Sequence, residues 1–198
     1  SNDSLFTHAY GLSRSYDGGV TWTSALNNGI FPPDINDIGK KGNRFYATSN
    51  FVYTIWYSDD FGDNWFQLPT LPQNPCNGQS VSVVDMCAVG NNLFTASSNG
   101  VVSKLDSANT TWTHSLCFWF SSGNTNYPTI QFTDNKLIVC SGSNMYVSLD
   151  TGSTWLISAM NGLPVSPDGN VITPQSIVAE SNQLIGHCSR YGIYTSFD

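Results

Sequence analysis

The chain has 198 residues, of which 13% are aromatic and only 11% charged, and its formal net charge is −7. Abundant aromatics with so little charge exclude a disordered chain. No apolar run approaches the roughly 20 residues that cross a bilayer, and seven scattered cations build no basic face for phosphates, so neither membrane insertion nor nucleic-acid binding is expected.

Helix formers are scarce, with a single Glu, Glu180, while Ser, Thr, Asn, Gly, Val and the aromatics dominate. That mixture suits half-buried strands joined by tight turns. From the amino terminus, the strand Leu5-Phe6-Thr7 leads to Ser15-Tyr16-Asp17-Gly18-Gly19-Val20-Thr21-Trp22. The strand Arg44-Phe45-Tyr46-Ala47 leads to Ser58-Asp59-Asp60-Phe61-Gly62-Asp63-Asn64-Trp65. Asn92-Leu93-Phe94-Thr95 leads to a degraded copy from Lys104 to Trp112 with one extra residue. Lys136-Leu137-Ile138-Val139 leads to Ser148-Leu149-Asp150-Thr151-Gly152-Ser153-Thr154-Trp155. Gln183-Leu184-Ile185-Gly186 leads to Ser196-Phe197-Asp198, the opening of a fifth copy. The five aspartates are 43, 46, 44 and 48 residues apart.

A further strand enters each turn, as in Met145-Tyr146-Val147 or Gly192-Ile193-Tyr194, and another starts at each turn tryptophan. Apolar stretches at Ile35 to Ile38, Val81 to Val84, Thr129 to Phe132 and Ser176 to Val178 precede the following units. Four short strands per ~45 residues is the period of a β-propeller blade. The expected fold is all-β: a single domain of four-stranded antiparallel blades, with units at about 1–34, 35–80, 81–127, 128–174 and 175–198. Five copies of the middle two strands face only four first and four last strands. The chain therefore reads as about four and a half blades. These could be part of a larger ring, a small five-bladed ring, or an open half-ring closed by a second copy.

The repeated segment has a direct physical reading. The aspartate folds back onto amides of its own turn, glycine supplies a positive φ, and the serine or threonine hydroxyl ties the turn to its strand. The tryptophan fills the wedge between blades. These copies resemble the Asp-box, or bacterial neuraminidase repeat, and the resemblance spans essentially the whole chain. Asp-box propellers include sialidases, xyloglucanase-type glycoside hydrolases, the sortilin luminal domain and the photosystem II stability factor. The longer unit is similar to blades of secreted Bacteroidetes proteins, on Asn161-Gly162-Leu163-Pro164 and Asn92-Leu93-Phe94-Thr95-Ala96. The resemblance implies a structural role for Asp17, Trp22, Asp60, Trp65, Asp106, Trp112, Asp150, Trp155 and Asp198, and an extracellular, cell-surface or periplasmic location.

Ligands of such propellers are expected on the face opposite these turns, built by interblade loops and by the turns between second and third strands. Trp119, in Cys117-Phe118-Trp119-Phe120, and Tyr127 could stack on a ligand, with Arg190 and Tyr191 in a turn of that same face. No catalytic residue is assigned. Sialidase chemistry would need an arginine cluster, and only Arg14, Arg44 and Arg190 exist. Glycoside hydrolysis by paired carboxylates would have to draw on Asp34, Asp37, Asp85 or Asp168, none of which sits in a motif. His8, His114 and His187 are too scattered for a metal site, and no cofactor loop occurs. The function expected is a non-catalytic binding or scaffold module for a protein or glycan. The alternatives are part of a carbohydrate-active enzyme and a propeller lectin. A second propeller fragment or a second copy of the chain is a further candidate partner.

Five cysteines leave at least one thiol free, and no CxxC pair suggests zinc. Cys140 stands where another repeat has Ala96 and reads as a small buried hydrophobe. The cysteines read mostly as unpaired core residues, with a Cys76–Cys87 or Cys87–Cys117 bridge as the alternative.

Overall fold

Strands form where short runs of β-branched, aromatic and hydroxyl residues lie between Gly and Asn turns, and they assemble into five separate antiparallel sheets. The computed structural model describes residues 5–8, 12–24, 28–30, 35–49, 53–118, 127–142, 144–180, 183–188 and 190–196. Blade one holds β1 (Leu5–His8), β2 (Leu12–Ser15) and β3 (Thr23–Ser24). Blade two holds β4 (Ile35–Lys41), β5 (Arg44–Ser49), β6 (Ile55–Ser58) and β7 (Phe66–Gln67). Blade three holds β8 (Val83–Val89), β9 (Asn92–Ser97), β10 (Val101–Leu105) and β11 (Trp112–Cys117). Blade four holds β12 (Thr129–Thr133), β13 (Lys136–Ser141), β14 (Asn144–Ser148) and β15 (Leu156–Ile157). Blade five holds β16 (Ser176–Glu180), β17 (Gln183–Cys188) and β18 (Gly192–Ser196). No helix occurs among the described residues, and the architecture is a five-bladed β-propeller.

Each blade is a simple meander in which sequence neighbours pair. The inner strands β4, β8, β12 and β16 pack in succession around the axis, and β1 packs against β4. The core is therefore a set of wedges between blades. One wedge joins Phe6, Phe45 and Trp65 of blades one and two. The next joins Tyr46 and Leu68 to Met86 and Trp112. A third joins Phe94 and Val102 to Ile130 and Trp155. The wedge between blades four and five is smaller, with Ile138, Cys140 and Ile177 at its centre.

Burial along the second strands follows from this geometry. After its first residue, each of β5, β9 and β13 is buried at every position, because a neighbouring blade covers either face. In β17 the buried positions alternate with exposed or half-buried ones, the signature of a sheet covered on one face.

Three of the five cysteines are unpaired, as the sequence reading has them, but the bridge that forms is neither of the two expected alternatives. Cys76 and Cys117 form a disulfide across 41 residues, so neither pairing through Cys87 occurs. Cys87, Cys140 and Cys188 are free. Cys140 faces the core like Ala96 in the preceding repeat. Pairing needs two Cα atoms within reach, here 6.4 Å, and proximity along the chain is no guide to that.

Candidate functional site

Meander topology sorts the connections onto two faces. Turns between first and second strands, and the repeated turns between third and fourth strands, lie on one face. Interblade loops, and the turns between second and third strands, lie on the other.

On the first face the repeated turns share one hydrogen-bond pattern. Ser15, Ser58 and Ser148 each donate Oγ–H to the turn aspartate at 2.8 Å and accept the amide of Gly19, Gly62 or Gly152 at 2.8 Å. Asp17 then accepts both the amide and the hydroxyl of Thr21, and Asp150 those of Thr154. Asn64 supplies both donors to Asp60, and Thr110 both to Asp106. The Thr21 hydroxyl leads in holding Asp17 at a pKa of about 2, the Asn64 amide does so for Asp60, and the Thr154 hydroxyl for Asp150. These carboxylates have their oxygens committed to the turn and stay ionised. The glycine is fixed by two constraints. Gly62 and Gly152 have φ of +81° and +82°, and a Cβ there would meet Phe6 at 2.9 Å or Phe94 at 2.6 Å in the preceding blade. Trp65 and Trp112 are buried, and Trp155 is half-buried, while Trp22 is 43% exposed. Asp198 lies outside the described residues.

The opposite face carries the candidate ligand surface. The segment 69–80 is Pro- and Asn-rich, and blade three holds it down. The Cys76–Cys117 disulfide ties it to the end of β11. Asn74, fully buried, donates to the Asn99 carbonyl at 2.7 Å and accepts the Cys76 amide at 2.9 Å. Asn99 in turn donates to the Ser80 carbonyl at 2.7 Å. His114 connects Ser103 Oγ at 3.1 Å with the Gln73 carbonyl at 3.0 Å. This stitching turns a long loop into a fixed platform, and only its Pro and Asn content hinted at it.

Tyr127, at the entry to β12, is 62% exposed. Arg190 and Tyr191 are exposed in the turn between β17 and β18, with Arg190 at φ +67°. Trp119 and Asp34 lie outside the described residues, as do most of 117–127. Trp56, outside the repeated turns, is buried packing in the first wedge.

Two of the leftover carboxylates are brought together near the axis. Asp37 and Asp85 occupy the same position in β4 and β8, opposite Thr48 and Ala96, each just after a bulge. A bulge re-aims the side chain that follows it. Asp85 Oδ2 accepts the Ile130 amide of the next blade at 2.7 Å, and Oδ1 accepts the Met86 amide at 2.8 Å. Asp37 Oδ2 accepts the same Met86 amide at 3.1 Å. Thr129 and Ser176 hold the corresponding positions in β12 and β16, opposite Cys140 and His187. Burial, then the neighbouring Asp37 charge, pushes Asp85 well above the ordinary carboxylate range. Both carboxylates thus accept the one Met86 amide.

Burial disfavours the thiolate form of each free cysteine. Burial pushes Cys140 up to about 12 and raises Cys188, and burial with the two carboxylates raises Cys87. Among the described residues no group of three or more His, Cys, Asp or Glu is placed to hold a metal.

No protein-family model matches the chain, and no curated protein does. Solved structures do match. YCF48 from Cyanidioschyzon merolae superposes with a TM-score of 0.64 at 14% identity over 100% of this chain and 67% of its own. YCF48 bound to D1 peptide gives 0.65 at 15% identity, over 99% and 61%. The extracellular domain of BT4673 from B. thetaiotaomicron gives 0.71 at 17% identity, over 98% of this chain but only 26% of that one. An ancestral GH74 enzyme gives 0.60 at 12% identity, over 98% and 29%. At these identities the likeness is one of fold.

Proposed function

We propose that this propeller is a non-catalytic binding module that recognises a protein or glycan on its loop face. The observation that carries this reading is the stitched platform at 69–80. A disulfide and an asparagine network fix a long loop on the face that also carries exposed Tyr127, Tyr191 and Arg190, as recognition surfaces require. The repeated turns, read as Asp-boxes, serve stability only. A propeller similar in fold, YCF48, is known with a bound peptide, and the BT4673 domain is extracellular. The first supports a protein ligand, and the second a location outside the cytoplasm. The apolar faces left on the end blades add a second class of partner, further blades from another fragment or copy.

The test is a screen of the intact domain against a peptide library and a glycan array. Tyr127→Ala and Arg190→Ala should each weaken a hit about tenfold or more, the loss of one good anchor. Asp150→Ala should leave it unchanged. Release of chromophore from aryl β-glucosides or aryl sialosides by the purified domain would overturn the non-catalytic reading in favour of a glycoside hydrolase.

A further inference from the structure

Three oxygen-bearing side chains converge at the axial end of the wedge between blades two and three. Two are Asp37 and Asp85, whose carboxylates both accept the Met86 amide, at 3.1 Å and 2.8 Å. A single N–H thus serves two acidic groups. Asp85 gives its other oxygen to the Ile130 amide of blade four. Burial and the Asp37 charge both disfavour the ionised form of Asp85. Two carboxyl groups by themselves can share a proton and need nothing more, but a third group stands with them.

That third group is the Thr48 hydroxyl. Thr48 is directly opposite Asp37 on β5, so both side chains leave the sheet on one face. This face looks toward blade three. Tyr46, two residues before Thr48, packs there with Met86, and Asp37 reaches the Met86 amide. Thr48 is 1% exposed, and its Oγ1 is buried without a hydrogen-bond partner. Buried hydroxyls are nearly always satisfied, because an unmet one forfeits its hydration. Packing does not demand this hydroxyl. Ala96 and Cys140 hold the same position opposite Asp85 and Thr129, and both are small hydrophobes.

We propose that Asp37, Asp85 and Thr48 bind one calcium ion at this end of the wedge, with water completing its shell. Calcium takes about six to eight oxygens in flexible geometry, carboxylates and neutral oxygens together. Magnesium demands a near-ideal octahedron and gives up its water reluctantly. The ion supplies the positive charge that one shared N–H cannot, and it gives Thr48 Oγ1 a partner. Its ligands lie on β4, β5 and β8, so it clamps blade two to blade three. The site uses none of the exposed residues of the loop face and stands independently of the binding function proposed there.

The test is a calorimetric titration of calcium chloride into the full chain after a chelator has removed metal. Binding at one site per chain is expected, with a Kd of about 0.1–1 mM, the range of extracellular calcium modules. Calcium at about 10 mM should raise the melting temperature by about 3–10 °C, and magnesium at the same concentration by far less. Thr48→Val keeps the side-chain shape and should weaken calcium binding about fivefold, the worth of one neutral oxygen contact. Its metal-free melting temperature should not fall. Asp37→Asn should abolish the calcium-dependent rise. Absence of both heat and a calcium-dependent rise in the parent chain would overturn the proposal. So would binding that survives Thr48→Val and Asp37→Asn undiminished, since surface carboxylates such as Asp59 and Asp63 would then hold the ion. If Asp37→Asn does not fold, the Thr48→Val titration decides by itself.

Discussion

Asp85 and Ile130 stand on neighbouring blades, and the carboxylate of one accepts the amide of the other at 2.7 Å. A side chain thereby completes backbone pairing between two inner strands that share no ladder. The cost is a carboxylate held beside Asp37 with its pKa raised. Because the folded value lies above the unfolded one, this group binds protons more tightly in the native state. Its contribution to stability is full below the unfolded value of about 4 and is lost as pH rises through the folded value. Asp85→Asn keeps a carbonyl acceptor and removes the charge. Urea melts between pH 5 and 8 should show the parent losing stability with rising pH and the Asn variant losing less. Parallel slopes would mean that the pair carries no such linkage.

The repeated turns work in the opposite sense. Asp17, Asp60 and Asp150 are held at about 2, so their folded values lie below the unfolded one. Their contribution is present above about pH 4 and fades as pH falls through 2. Asp150→Asn should flatten part of the acid limb of a stability–pH curve and lower the melting temperature at pH 7. An unchanged acid limb would assign it to other carboxylates.

Trp65 is 3% exposed and anchors the wedge between blades one and two. Trp65→Ala should cost roughly 3–5 kcal/mol, measured by urea unfolding. Trp112 differs from Trp65 in polar chemistry, because its indole N–H reaches the Pro69 carbonyl. Trp112→Phe should therefore cost about 1 kcal/mol more than Trp65→Phe, whose indole nitrogen has no hydrogen-bond partner. Equal costs would show that the Pro69 bond contributes nothing net.

The Cys76–Cys117 disulfide closes a loop across 41 residues. The loop-entropy relation assigns such a crosslink about 4 kcal/mol. Replacing both cysteines by serine should lower stability by up to that amount. It should also raise amide exchange selectively in the segment 69–80. Uniformly raised exchange across all blades would mean that the bridge supports the global fold instead of the platform.

Whatever fits within one repeat was legible in the residues alone. The turn from Ser148 to Trp155 contains its own donors, acceptors and glycine, so eight contiguous residues specify its geometry. Recurrence of that turn at about 45 residues was enough to predict an all-β propeller and the count of first, second, third and last strands. The tertiary structure alone decided which residues of different blades meet. Cys76 finds Cys117 and not the nearer Cys87 because β11 ends beside the loop. Asp37 and Asp85 meet because each follows a bulge at the same position of adjacent inner strands, 48 residues apart in sequence. Trp65 is buried under Phe6 and Phe45, while Trp22 stays 43% exposed although their turns read alike. A local motif fixes the shape of a turn, but burial, pairing and pKa depend on the neighbour that packing supplies.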